Sequence, residues 1–236
     1  MKRHRKHRRK LLIISLLITI LGFKMVINNR IDFSGFLFSG IENFVDDHQT
    51  ANTDYGWNLI LVNRDYYIPK DYTVELTELS NGEKVDSRIY PDLQEMFDDA
   101  RAAGLQLYVR DGYRTAETQQ RILDEKIEAY RNEGYSDSEA DELAKEWVAV
   151  PGTSEHQLGL AVDINADTSQ STSDEVYTWL ANNSYKYGFI NRYPTDKTEI
   201  TGVIYEPWHY RYVGREAAQE IYSQGICLEE YIQGLE

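Results

Sequence analysis

The sequence has a single cysteine, Cys227, among its 236 residues. One cysteine excludes an internal disulfide framework and a structural zinc site made of cysteines. Its apolar neighbours, Ile226 and Leu228, are typical of a small buried side chain, so we expect no catalytic role for this thiol. The fold must therefore depend on its hydrophobic core, with or without a bound metal.

Proline-rich linkers and internal repeats are also absent, and the chain has only five prolines. The candidate elements do not alternate regularly between strand and helix, which disfavours a parallel sheet with crossover helices. A chain of this length is long enough for one domain with a sizeable core and a short appendage.

Acidic residues are missing from the first ten positions, although the whole chain has a formal net charge of −14. Seven of these ten residues are lysine or arginine, so the remainder of the chain is strongly acidic. An acidic body repels polyanions, and we expect no nucleic-acid partner. The basic head alone would also fit nucleic-acid binding or nuclear import, but the segment that follows disfavours both.

An apolar run follows the basic head, over residues 11–23, and continues past Lys24 to Ile27. A basic segment joined to such a run is typical of a signal peptide or a signal anchor. No small-residue cleavage site and no cysteine for lipid attachment follow it. We therefore predict an uncleaved, single-pass anchor in the cytoplasmic membrane over 11–27, with a cleaved signal as the alternative. Basic residues stay in the cytoplasm, so residues 1–10 are predicted inside and the body of the protein outside the cell.

A linker over residues 28–56 and a folded domain over 57–236 complete the predicted organisation. We predict an α+β domain in which helices pack on a small, mainly antiparallel sheet. Periodicity and turn residues predict strands over 58–62, 73–79, 105–109, 160–164 and 208–213. They predict helices over 91–103, 115–132, 136–148 and 215–222, and one opening at Thr172.

Two segments contain residues suited to metal chemistry. Residues 154–163 read Ser-x-His-x-x-Gly-x-Ala-x-Asp, and residues 206–209 read Glu-Pro-Trp-His. A catalytic zinc site takes three protein ligands and leaves one position open. His156, Asp163 and His209 supply such a set, and the small residues between the first two allow a tight turn. Each motif alone is weak evidence, but both in one exported domain predict one Zn²⁺ per chain.

Two further residues complete a predicted active site. Glu206 lies three residues before His209, where it can take a proton from water and pass it to a leaving amine. Arg114 follows a predicted strand, and its guanidinium can hold a carboxylate through two hydrogen bonds. An ion pair with a neighbouring acid is the structural alternative for Arg114.

The three blocks together resemble the VanY-like zinc D-alanyl-D-alanine carboxypeptidases, over about 57–222. The resemblance includes residues 61–63, 85–91 and 151–159. It implies zinc ligands at His156, Asp163 and His209, a catalytic base at Glu206, and substrate contacts from Arg114, Gln119 and Ser154. The sequence departs from the family pattern at Asp111, where many relatives have serine.

The implied function is removal of the C-terminal D-alanine from peptidoglycan stem peptides, in a lipid-linked precursor or in nascent wall. An L,D-carboxypeptidase acting on tetrapeptide stems, or an endopeptidase cutting crosslinks, would have the same catalytic centre. A domain that binds cell-wall peptide without cutting it is a further alternative. It is disfavoured by Glu206, because a binding protein does not need a base.

Overall fold

A computed structural model of the protein describes residues 49–236. The predicted cytoplasmic segment, the predicted anchor and the linker up to residue 48 lie outside the described residues. Among the helices of 49–236, none combines the length and the apolar composition that a membrane crossing requires.

A four-stranded antiparallel sheet forms the centre of the fold. Its strands are β5 (Leu107–Asp111), β6 (Ala161–Ala166), β7 (Phe189–Asn191) and β8 (His209–Tyr212), in the order β5-β6-β8-β7. Asp163 of β6 lies opposite His209 of β8 on one side and opposite Asp111 of β5 on the other. Side chains opposite each other in neighbouring strands are close, so this row brings three polar residues together.

Two smaller sheets precede the strands of the central sheet in the chain. β3 (Leu76–Glu78) and β4 (Lys84–Asp86) form an antiparallel hairpin, and Asn81 and Gly82 lie in the turn between them. β1 (Gln49–Thr50) and β2 (Tyr66–Tyr67) pair in parallel. The folded unit therefore begins before residue 57, where the sequence predicted its start, because β1 is paired and Ala51 lies in the core.

The predicted helices are present with shifts of a few residues at their ends. Capping boxes form at Ser136 and Thr172, where helices were predicted to begin. In each box the hydroxyl accepts from the backbone N–H of the glutamate three residues later, and that glutamate accepts from the backbone N–H of the capping residue. The helices are α1 (Tyr90–Ala102), α2 (Ala116–Asn132), α3 (Asp137–Lys145), α4 (Ser173–Asn183), α5 (Thr198–Thr201), α6 (Arg215–Gln224) and α7 (Leu228–Gln233). Two 3₁₀ turns cover Glu155–Leu158 and Ser184–Tyr187. Helices α5 and α7 were not predicted.

The strand predicted over 58–62 is wrong. This segment is irregular in the structure, although Ile60 and Val62 are buried as the apolar pattern indicates. The carbonyl groups of Asn58 and Ile60 accept hydrogen bonds from the guanidinium of Arg211, at 3.0 and 2.9 Å. A buried side chain thus satisfies carbonyls that a neighbouring strand would otherwise have to pair.

The core positions the polar row described above. Leu93 and Met96 of α1 and Val162 and Ile164 of β6 belong to one hydrophobic cluster. Successive side chains of a strand point to opposite faces, so Asp163 points away from that cluster. Because one face of β6 is buried in the core, the carboxylate of Asp163 on the opposite face points toward the polar row.

Candidate metal centre and active site

The three predicted metal ligands converge at one place. The Nδ1 atom of His209 lies 3.0 Å from Oδ1 of Asp163, and the Nε2 atom of His156 lies 3.4 Å from the same oxygen. His156 arrives from the 3₁₀ turn that ends at Gly159, whose positive φ of 73° redirects the chain into β6. The structure thus brings together residues that are far apart in the sequence.

Each imidazole is oriented by a partner on its other nitrogen. Nδ1 of His156 lies 2.7 Å from the carbonyl oxygen of Gly112, to which it donates, so Nε2 presents its lone pair to the site. Nε2 of His209 lies 3.5 Å from Oε2 of Glu155, which leaves Nδ1 facing Asp163. Gly112 is required here, because a Cβ at this position would lie 2.2 Å from the backbone oxygen of Lys84.

The electrostatics of the site favour a cation. Burial alone would raise the pKa of Asp163, but the two imidazoles hold that pKa well below its usual range. Burial alone would lower the pKa of His209, but hydrogen bonds to Asp163 and Glu155 outweigh burial and raise the pKa to about 9. A metal ion that binds here would have to displace a proton from the His209 imidazole.

The donor set fits zinc. Two imidazole nitrogens and one carboxylate oxygen lie within 4.8 Å of one another, and none of the three ligand residues is exposed. Ligand atoms on a tetrahedral zinc are about 3.4 Å apart, given bond lengths of about 2.0–2.2 Å. The distances of 3.0 and 3.4 Å in the structure are close to that value. Three protein ligands correspond to a catalytic site with an open position, whereas a structural site uses four.

Glu206 lies beside the metal-ligand set and is 8 % exposed. Its Oε2 atom is 3.9 Å from Nδ1 of His209. Burial raises the pKa of Glu206, with His209 opposing this rise. A carboxylate with a raised pKa accepts a proton more readily than an exposed one, as a general base must.

Arg114 lies on the other side of Asp163 and is held by two neighbours. Its Nε and Nη2 atoms donate to Asp111, at 3.1 and 2.8 Å, and its Nη1 donates to Oε1 of Gln119, at 3.2 Å. Gln119 is fixed in turn by donating to the carbonyl of Ala149. The ion pair considered for Arg114 therefore exists, and its acid is Asp111. The Nη2 atom of Arg114 also lies 3.4 Å from Oδ2 of Asp163, which places the guanidinium beside the metal-ligand set.

The position of Asp111 results from an irregularity in β5. The register of β5 against β6 shifts between Val109 and Asp111, so that Val109 lies opposite Ile164 and Asp111 lies opposite Asp163. Strict alternation would give Asp111 the same face as the buried Val109. The bulge turns it to the face of the site, as bulges beside active sites commonly do.

A cavity of about 880 Å³ contains the site, a volume suited to a small ligand or a peptide end. Trp147, Tyr193 and Trp208 add aromatic surface to its wall. All seven predicted site residues line it: Arg114, Gln119, Ser154, His156, Asp163, Glu206 and His209.

Sequence reasoning missed Glu155 and Gly112, and it considered an ion pair for Arg114 without naming Asp111 as the acid. Glu155 is adjacent to His156 in the chain, but its side chain reaches the other histidine. The residues next to Glu155 in the sequence give no indication that its side chain points toward His209. The sequence does show that Asp111 replaces the serine that many relatives have. An acid three residues before Arg114 was the available signal for the ion pair.

This arrangement is that of a metal-dependent hydrolase, with a His-Asp-His set, a buried carboxylate beside it and an arginine at the edge. Comparison with known proteins is more specific. The sequence model described as VanY: D-alanyl-D-alanine carboxypeptidase matches residues 82–215, more than half of the chain. The protein belongs to the VanY D-alanyl-D-alanine carboxypeptidase family.

Curated relatives agree with this family. A D-alanyl-D-alanine carboxypeptidase of Enterococcus faecalis is 60 % identical over 191 residues, which cover 81 % of this chain and 71 % of the relative. A bifunctional D-Ala-D-Ala dipeptidase and carboxypeptidase of Enterococcus gallinarum is 35 % identical, over 73 % of this chain and 92 % of the relative.

Solved structures are similar as well. VanYB in complex with D-alanine-D-alanine has a TM-score of 0.74 at 64 % identity, over 75 % of this chain and 98 % of that one. A VanY variant in complex with Zn(II) has a TM-score of 0.73 at 64 % identity, over 75 % and 99 %. The LD-carboxypeptidase LdcB has a TM-score of 0.63 at 37 % identity, over 75 % and 86 %.

Proposed function

We propose that the protein is a zinc-dependent D,D-carboxypeptidase that removes the C-terminal D-alanine from peptidoglycan stem peptides. The observation that carries this proposal is that one cavity contains the proposed metal ligands, Glu206 and Arg114 together. Membership of the VanY family and the similarity to VanYB in complex with D-alanine-D-alanine support it.

His156, Asp163 and His209 are the residues that would hold the ion. When bound, zinc supplies Lewis-acid polarisation of the scissile carbonyl and lowers the pKa of water. Glu206 takes one proton from the attacking water, whose oxygen forms the new bond to the carbonyl carbon. As the C–N bond breaks, Glu206 returns that proton to the leaving amine. The products are the shortened stem and free D-alanine.

Arg114 is proposed to bind the terminal carboxylate of the substrate. An exopeptidase must reject internal bonds, and a receptor for the free carboxylate does so. Asp111 and Gln119 hold the guanidinium in place before the substrate arrives, which reduces the entropy lost on binding. Gln119 and Ser154 line the same cavity and are proposed to contact the substrate.

The test is incubation of the full-length protein with defined stem peptides, followed by mass spectrometry. A free pentapeptide stem should give one product that is shorter by a single alanine. A protein that binds the stem and its zinc but releases no alanine would be a binding domain and would contradict the proposal.

An L,D-carboxypeptidase is the second candidate, because LdcB shares the fold at 37 % identity. A pentapeptide ends in two D-residues, whereas a tetrapeptide presents a bond from an L-centre to D-alanine. We expect faster cleavage of the pentapeptide. Faster cleavage of the tetrapeptide would instead identify an L,D-carboxypeptidase.

We also propose that residues 11–27 anchor the protein in the cytoplasmic membrane, with the catalytic domain on the outer face. The support is the basic head followed by an apolar run without a cleavage site. An anchor of this kind would keep the enzyme close to lipid-linked precursor and nascent wall.

A further inference from the structure

Four buried charged side chains form a continuous network of ion pairs next to the candidate metal centre. They are Glu155, Arg192, Arg211 and Glu229. The side chains of the first three have no exposed surface, and that of Glu229 is 12 % exposed. Two carboxylates and two guanidiniums cancel in formal charge. A buried ionic group contributes little net stability compared with apolar residues of similar size, so stability alone does not account for this network.

Glu155 divides its two oxygens between the network and the metal site. Oε1 accepts hydrogen bonds from Nε of Arg192 at 2.7 Å and from Nη1 of Arg211 at 2.9 Å. Oε2 faces Nε2 of His209 at 3.5 Å. The arginines thus fix the carboxylate in the orientation that meets the imidazole. A carboxylate on the outer nitrogen of a metal-binding histidine fixes its tautomer and the direction of its ring.

The two arginines differ in what holds them. Arg211 also donates to the backbone carbonyls of Tyr212, Asn58 and Ile60, so its position is determined without Glu155. The guanidinium of Arg192 donates to Glu155 on one side and to Glu229 on the other. Its bonds to the two oxygens of Glu229 are 2.6 and 2.8 Å long. The position of Arg192 therefore depends on Glu229.

Glu229 belongs to the first turn of α7, the helix near the C-terminus that the sequence did not predict. We propose that Glu229 is a positioning residue for His209, acting through Arg192 and Glu155. By this connection α7 contributes to the affinity and the geometry of the metal centre. The inference rests on the proposed zinc site, and it does not depend on the bond that is cleaved.

The test compares Glu229→Gln with Glu230→Gln in the full-length protein, purified in detergent. Both variants replace a carboxylate by an amide in the same helix. Glu230 pairs with Lys197, 2.9 Å away, and accepts a hydrogen bond from the backbone N–H of Cys227 at 2.8 Å, which the amide oxygen of glutamine can also accept. Neither contact belongs to the network, so Glu230 serves as the control. Zinc affinity is measured by competition with a chromophoric chelator, and circular dichroism checks that each variant is folded.

We expect Glu229→Gln to weaken zinc binding by roughly 10-fold. Mutating residues that hold a metal ligand in place commonly reduces metal affinity by about this factor. Glu230→Gln should remain within about twofold of wild type, since partly exposed pairs contribute little. The visible spectrum of the Co²⁺-substituted protein should change in Glu229→Gln alone, because it reports ligand geometry. Wild-type affinity and spectrum in a folded Glu229→Gln would overturn the inference, as would an equal loss in Glu230→Gln.

A second variant covers the case in which Glu229→Gln does not fold. Arg192→Met with Glu229→Met removes one cation and one anion and leaves Glu155 paired with Arg211. We expect this protein to fold and to bind zinc more weakly than wild type. Unchanged zinc affinity in the double variant would overturn the inference. Zinc binding without cleavage in the wild type would contradict the proposed function only.

Discussion

Replacing Arg114 with alanine should remove the preference of the protein for a free C-terminal carboxylate. The Arg114 side chain is 14 % exposed, and its Nη2 lies 3.4 Å from Oδ2 of the proposed ligand Asp163. A carboxylate bound to this guanidinium would lie next to the proposed metal ligands. Asp111 and Gln119 already fix the guanidinium, so little ordering is needed when the substrate binds.

The expected loss of activity is large, because the ion pair between Arg114 and the terminal carboxylate of the substrate would be mostly removed from water. Truncating one partner of a buried, hydrogen-bonded charge pair costs on the order of 2–5 kcal/mol. This corresponds to a loss of about 30- to 5,000-fold in kcat/KM. Arg114→Lys keeps the charge but loses the planar guanidinium that Asp111 and Gln119 hold. It should therefore recover only a minor part of the kcat/KM that Arg114→Ala loses.

The assay measures kcat/KM on a pentapeptide stem with a free C-terminus and on the same stem with an amidated C-terminus. Wild type should favour the free stem strongly, and Arg114→Ala should cut both at similar, low rates. Arg110→Ala is the matched control, because Arg110 is a neighbouring arginine of β5 with an exposed side chain. The reasoning is refuted if Arg114→Ala retains the wild-type ratio. Equal cleavage of both stems by wild type would indicate an endopeptidase.

Three further outcomes follow from the site and from the sequence. Glu206→Gln should lower kcat by about 10²- to 10⁴-fold while zinc stays bound, as measured by kinetics and elemental analysis; loss of the metal would make Glu206 a ligand instead. Purified protein should contain about one zinc per chain and lose activity to a chelator, with recovery when zinc is returned; active protein without metal would contradict this. Deleting residues 1–27 should move the protein from the membrane fraction to the soluble fraction. A mature form that begins after residue 27 would favour a cleaved signal.

The convergence of His156, Asp163 and His209 could be predicted, because these residues lie in two short motifs whose residue types are chemically specific. Two imidazoles and a carboxylate, with small residues between the first two, suggest a zinc site before any fold is known. The capping boxes at Ser136 and Thr172 were also predictable, because a cap depends on residues three positions apart.

Features that depend on contacts between distant segments were not predictable. Glu155 meets Arg192, which is 37 residues away, through the packing of the sheet and its connecting segments. The strand predicted over 58–62 failed because a side chain from β8, Arg211, satisfies its carbonyls. The direction of Asp111 depends on a bulge in β5, and strict alternation predicts the opposite face.

Because Asp163 and His209 are both proposed zinc ligands, their pairing across β6 and β8 makes metal retention a test of correct folding. If β6 slipped by one residue, Asp163 would turn into the hydrophobic cluster and Val162 or Ile164 would face the imidazoles. A chain misfolded in this way has one ligand fewer and cannot complete the set. Zinc content measured on a refolded or recombinant sample therefore reports the fraction of molecules whose central strands have found their native partners.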